Sequence, residues 1–98
     1  MFCLVARHQA EPKNLDELVR IFREQYIPLA SRQAGFKSAY FMNKPTGQFM
    51  IVSIWNSEAD ANVWIENPGH HEIGAQASLL TNGAPERDSY DVQGFKIV

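Results

Sequence analysis

Two adjacent imidazoles, His70 and His71, follow directly on the break Asn67-Pro68-Gly69, and an indole, Trp64, stands just before that break. Histidine titrates near neutrality, so either ring could accept a proton from a hydroxyl; the pair could equally cap a helix or stand in solvent. Side chains adjacent in a helix diverge, and no Cys, Asp or Glu completes a ligand spacing here, so no metal site is expected. Trp64, flanked by Val63 and Ile65, reads either as core packing or as the wall of a ligand pocket. Arg7 follows the apolar run Phe2-Cys3-Leu4-Val5-Ala6, and either emerges at a sheet end or enters a cavity to hold an anion. Tyr26 and Tyr40 are candidate hydrogen-bonding groups in an aromatic pocket, though each also fits a half-buried position. Cys3 reads as buried filler. A Gly-rich phosphate loop, a nucleophile elbow and an H-E-x-x-H motif are all missing, which argues against nucleotide and hydrolase chemistry.

Those side chains need a scaffold, and 98 residues supply one domain, spanning 1–98. Hydrophobic residues make up 45% and charged residues 20%, a globular balance. A formal net charge of −2 gives no electrostatic footprint for nucleic acid or an anionic membrane. No apolar run approaches the roughly 20 residues that span a bilayer. The opening Met1-to-Ala6 stretch is short and lacks a basic region before it, so no signal peptide is expected. A single cysteine cannot form an internal disulfide, and a reducing cytoplasm is the expected compartment.

The elements read in order. Residues 2–9 form a strand. Asn14 then caps a helix in a capping box with Glu17, and Leu15, Leu18, Val19, Phe22 and Tyr26 make its apolar stripe. Asp16 and Arg20 are spaced to pair on the wet side. Pro28 cannot donate to the Glu24 carbonyl, so the helix must kink or rewind there, and Gly35 ends it. Residues 36–43 and 48–55 form a hairpin, with Phe36, Ser38, Tyr40 and Met42 on one face. Ser57, with Asp60 three residues on, starts a helix running to about Glu66. A short helix over 70–80 turns Ile73, Ala77 and Leu80 inward. A last strand covers 87–97, with a bulge at Gly94 to reconcile Tyr90 and Val92 with Phe95 and Ile97. This order predicts an α+β, ferredoxin-like βαββαβ fold with an antiparallel sheet and its helices on one face.

Strand three, Phe49-Met50-Ile51-Val52-Ser53-Ile54-Trp55, and strand one are apolar at almost every position, as strands covered on both faces are. The helices can cover only one face. A terminal segment could fold over the other; a symmetric pair of subunits packed sheet on sheet is the favoured expectation, a homodimer.

Gly35-Phe36, Ile54-Trp55, Ser57-Glu58-Ala59-Asp60, Trp64 and Asn67-Pro68-Gly69-His70-His71 together resemble the antibiotic biosynthesis monooxygenase family, of the dimeric α+β barrel superfamily. The resemblance runs from strand one to about Leu80. It implies a dimeric barrel and a range of activities. Some members oxygenate phenolic or quinol-type rings with molecular oxygen and no metal, flavin or haem; others degrade haem or isomerise small phosphorylated signals. The cofactor-free members need a pocket that binds a ring, assists its deprotonation and steadies the anion. The residues expected to meet that need here are His70, His71 and Trp64 as catalytic groups, with His71 or His70 assisting deprotonation and Trp64 lining the pocket, and Arg7, Tyr40 and Tyr26 as substrate-binding groups, with Arg7 or Tyr40 steadying the anion. The haem-degrading pattern matches only at Trp64: its strand-one Asn falls on Ala6 or Arg7, and its His falls near Gly74. Many other members carry a His where this chain has Trp64. The expectation is a cofactor-independent monooxygenase-like homodimer acting on a small aromatic molecule, with neither nucleic acid nor membrane as partner. The alternatives are a non-catalytic ligand-binding dimer of the same fold and a proton-transfer isomerase.

Overall fold

A computed structural model describes residues 1–97. Four strands, β1 (Phe2–Gln9), β2 (Phe36–Asn43), β3 (Gln48–Trp55) and β4 (Glu86–Asp91), form one antiparallel sheet in the order β2-β3-β1-β4. With the intervening helices this is the expected α+β, ferredoxin-like arrangement. Side chains opposite one another in an antiparallel ladder share a face. The pairs Phe2–Trp55, Leu4–Ser53, Ala6–Ile51 and His8–Phe49 therefore line one face of the sheet. Cys3, Val5 and Arg7 lie on the other, with Ile54, Val52 and Met50.

The first helical region departs from its expected start. A 3-10 turn, Pro12–Asn14, comes before α1 (Leu15–Ile21), so Asn14 is itself helical and its side chain caps nothing. Its Nδ2 instead donates to the Leu80 carbonyl at 3.3 Å, tying this end to the far side of the chain. Arg20 bridges Glu17 and Glu24, leaving out Asp16, because the two longer carboxylates flank it one turn away on either side.

At Pro28 the helix rewinds. Phe22–Tyr26 is a π segment, in which the Ile27 N–H donates to the Phe22 carbonyl five residues back. The wider turn accommodates the proline ring and its missing donor, and helix resumes as α2 (Ile27–Ser31). Gly35, at φ 79°, turns the chain into β2.

The register shifts between Phe36 and Ser38. A bulge there separates Phe36, which packs edge-on against Trp55 in the core, from Ser38, Tyr40 and Met42 on the opposite face. The expected bulge at Gly94 does not occur, because β4 ends at Asp91. Asp91 pairs with Phe2, the first residue of β1, so the chain beyond has no strand left to pair with. Among the described residues only the Val92 N–H continues the ladder, to the Met1 carbonyl, and Phe95 and Ile97 stand exposed.

The helix α3 (Glu58–Ile65) is capped as expected, with Ser57 Oγ accepting from the Asp60 N–H at 3.2 Å. The helix α4 (Pro68–Ser78) starts earlier than expected, because Asn67 Oδ1 caps it by accepting from the Gly69 and His70 N–H groups. The core divides into two clusters. One gathers Phe2, Phe22, Tyr26, Trp55 and Trp64; the other gathers Ala10, Leu18 and Phe49, and Phe41 and Ile51 pack against both. No helix among the described residues is long and apolar enough to cross a membrane.

Candidate functional site

Between α4 and the covered face of the sheet lies a cavity of about 440 Å³. Leu4, Ala6, Ile51, Trp64 and Ile73 give it apolar walls, and Gly83 to Pro85 border it on the side of β4. Its polar lining comprises His8, Tyr26, Ser53, His70 and Arg87, with Ser78, Thr81, Asp88 and Ser89 also bordering it. Such a cavity suits a small, largely apolar molecule oriented by polar contacts.

His70 owes its position to the short Asn67 turn between α3 and α4. The turn folds its ring back flat on Trp64, with centroids 4.3 Å apart and planes 12° apart. His70 Nδ1 lies 2.9 Å from the Trp64 carbonyl oxygen. A carbonyl only accepts, so Nδ1 carries the proton. Burial, together with the charge of Arg87, holds the ring below its ordinary pKa, although the Trp64 carbonyl pulls the other way. The ring is therefore neutral near pH 7, and its Nε2 keeps a lone pair free to accept a proton.

His71 plays a different part. Its Nε2 bonds the Ile65 carbonyl, its ring is exposed, and it does not border the cavity. Both imidazoles thus satisfy carbonyls at the end of α3, and His70 alone also faces the cavity.

Trp64 is fully buried and contacts Trp55 and Tyr26 as well as His70. It is both core and cavity wall. Tyr26 is brought inward at the end of the π segment, where burial pushes its phenol up while Ser53 and Trp64 pull it down. Ser53 Oγ accepts from the Trp55 indole N–H at 2.9 Å, which leaves the hydroxyl proton to donate elsewhere.

Arg7 and Tyr40 lie outside this cavity. Arg7 pairs with Met50 and Glu86, and Tyr40 with Val52, all on the opposite face of the sheet. Arg7 borders a separate recess with Met42 and Lys44 at the hairpin end. The cation on the cavity side is Arg87, which pairs with Ala6 and carries its charge close enough to lower both His8 and His70. His8 stacks flat on Phe49 at 4.6 Å and is held below its ordinary pKa first by burial, then by Arg87.

Sequence reasoning did not assign His8, Ser53 or Arg87 to the cavity, nor Ser78, Thr81, Asp88 and Ser89 at its border. The available signal was parity: His8 alternates with Leu4 and Ala6 along β1, and knowing which face that set occupies would have placed it. Among the described residues, no group of three or more His, Cys, Asp or Glu is arranged to hold a metal ion.

The sequence profile described as antibiotic biosynthesis monooxygenase matches residues 1–76. No curated protein matches the sequence. Solved structures do. A protein of unknown function from Nitrosomonas europaea superposes with TM-score 0.83 at 18% identity, covering 99% of this chain and 93% of its own. SnoaB, a cofactor-independent oxygenase from Streptomyces nogalater, gives 0.79 at 14%, covering 96% and 94%. A protein from Chloroflexus aurantiacus, described as a candidate antibiotic biosynthesis monooxygenase, gives 0.73 at 22%, covering 99% and 98%. Identities this low establish a shared fold, and function belongs to the site.

Proposed function

The chain belongs to the antibiotic biosynthesis monooxygenase family, and from that premise we propose that it is a cofactor-independent oxygenase of small phenolic or quinol-type rings. The observation that carries this reading is His70: a neutral imidazole with Nδ1 committed to the Trp64 carbonyl and Nε2 free, on the wall of an apolar cavity. SnoaB, of the same fold, is described as a cofactor-independent oxygenase.

In this mechanism Nε2 of His70 takes the proton of a ring hydroxyl, or of the ring CH2 where the substrate is in its keto form, and Arg87 steadies the resulting oxyanion. The electron-rich anion then reduces oxygen itself. One oxygen atom becomes a carbonyl on the ring, in place of two hydrogens, and the other leaves as water. Trp64 and Ile51 contribute apolar walls, and Tyr26 and Ser53 offer hydroxyl groups to the substrate. Arg7, Tyr40 and His71 have no step in it.

The proposed assembly is a homodimer through the open face of the sheet, where Val52, Ile54 and Met50 are only half covered and Tyr40 is 51% exposed. A reducing cytoplasm suits the free Cys3 on that same face.

Anthrone provides the test, since its conversion to anthraquinone consumes one oxygen molecule and releases one water. Oxygen uptake matched by anthraquinone formation, and reduced about a hundredfold or more in His70→Gln, is the expected result. Uptake no faster than in buffer, for anthrone and for simple quinols alike, overturns the oxygenase reading. Ring binding without uptake would identify a ligand-binding dimer of the same fold.

A further inference from the structure

Every polar side chain turned into the cavity is neutral or cationic. His70 backs onto Trp64, His8 backs onto Phe49, and Arg87 stands between the cavity and solvent on the exposed edge strand β4. Asp88 also borders the space, but its neighbour Arg87 shares a face with Ala6, whereas Asp88 pairs with Val5 on the other face. The Asp88 carboxylate is already occupied there, accepting from the Tyr90 hydroxyl at 2.7 Å and the Ser89 N–H at 3.0 Å. Arg7, also on that face, lies close enough to lower its pKa. Among the described residues, Arg87 forms no salt bridge, the ion pairs found being those of Arg20. A guanidinium with five donors thus meets the cavity without a protein counter-ion, at the rim of largely apolar walls.

We infer that the cavity selects an anionic aromatic: a flat ring bearing a carboxylate, with the carboxylate held by Arg87 at the rim and the ring in the apolar interior. This rests on the oxygenase reading only in taking the cavity as the ligand site; on a ring acid Arg87 holds the carboxylate, and the ring oxyanion falls to the Tyr26 and Ser53 hydroxyls. A ring acid satisfies both halves of the site at once, whereas a neutral hydrocarbon leaves the guanidinium unmatched. Two hydroxyls, on Tyr26 and Ser53, remain inside for any further oxygen on the ring.

Three probes of one ring size separate the contributions: 2-naphthoate, 2-naphthol and 2-methylnaphthalene, titrated calorimetrically against the intact protein at pH 7.5. Naphthoate is expected to bind about tenfold more tightly than either neutral probe, a typical strength for a partly exposed charge-assisted contact. Raising the salt should erode that preference while leaving 2-methylnaphthalene unaffected. Arg87→Gln should abolish the preference yet still bind 2-methylnaphthalene, which confirms an intact cavity. Arg87→Lys should restore part of it, as a point charge without the fork.

The inference is overturned if naphthoate binds no more tightly than 2-naphthol, or if its advantage survives Arg87→Gln. No step of this test needs oxygen. A silent oxygen electrode with a clear naphthoate preference refutes the oxygenase alone, and turnover of neutral rings with no such preference refutes the anionic specificity alone.

Discussion

The His70 ring lies face to face with the Trp64 indole while its Nδ1–H donates to the Trp64 backbone carbonyl at 2.9 Å, so one residue sets both the ring plane and the tautomer of the other. The two contacts can be separated by mutation, because only the stack depends on the Trp64 side chain.

Trp64→Ala should lower stability by about 3–5 kcal/mol, the usual cost of emptying a fully buried indole site. Trp64→Phe should cost less. In Trp64→Phe the carbonyl remains, so nitrogen NMR of the His70 ring should still find Nε2 unprotonated. Urea denaturation checks the first part; an unchanged midpoint in Trp64→Ala would refute the packing argument.

Stability should fall on mild acidification. His8 and His70 are both held below the ordinary 6.5 by burial and by Arg87. The groups facing His70 are the Trp64 carbonyl, Arg87, His71 and the Tyr26 ring. Below pH 6.5 the unfolded chain binds protons that the folded chain still refuses. Stability is then complete above that pH and declines as the pH drops toward the folded values, levelling off beneath them. Urea midpoints at pH 7.5 and pH 5 measure the effect. His70→Gln should show a shallower decline, and a flat profile in the unaltered protein counts against buried neutral imidazoles.

Pro28→Ala returns an N–H to the helix and removes the ring that the π segment accommodates. The ordinary α register then competes, and Tyr26 moves out of line with Trp64. The unfolding midpoint should hold or rise while affinity for 2-naphthol drops several-fold, a split that calorimetry and thermal melts resolve together. Unchanged affinity would mean the π segment does not position Tyr26.

Two glycines test the turns. Gly47 sits at φ 99°, and a Cβ there would strike the Ala10 carbonyl oxygen; Gly35 sits at φ 79°, and a Cβ would meet the Asp60 side chain. Backbone cannot yield as a side chain can. Gly47→Ala should therefore destabilise more than Gly35→Ala, each by roughly 1–3 kcal/mol from backbone strain alone. The reverse order in chemical denaturation would contradict the geometry.

Val52→Asp places a carboxylate on the open sheet face, opposite Val5 and Tyr40. Sedimentation equilibrium should find a dimer for the unaltered chain and a monomer for this variant. A monomeric unaltered chain at micromolar concentration would sink the proposed assembly.

Much of the scaffold was legible because it is local. The Leu18-to-Tyr26 stripe, the Ser57 cap and the misfit at Pro28 each follow from a few neighbouring residues. The cavity depended on register, which is not local. β1 is apolar on both faces, so nothing in it says whether His8 or Arg7 turns toward the helices, and Arg7 was the natural choice for an anion contact. Arg87 became visible only once Ala6 was found opposite it. The last strand was read too long for a related reason: Phe95 and Ile97 carry strand-like alternation, but β1 had already run out of partners.

Of the residues lining the cavity, Leu4, Trp64 and Ile73 belong with one core cluster, Ala77 belongs with the other, and Ile51 packs against both. A guest in that gap would join two half-interiors into one, and the folded chain would gain about 2.7 kcal/mol when the compound is present at a hundred times its dissociation constant. Filled and empty molecules would then differ in how often they open to a protease. The protein's lifetime would follow the supply of the compound it holds.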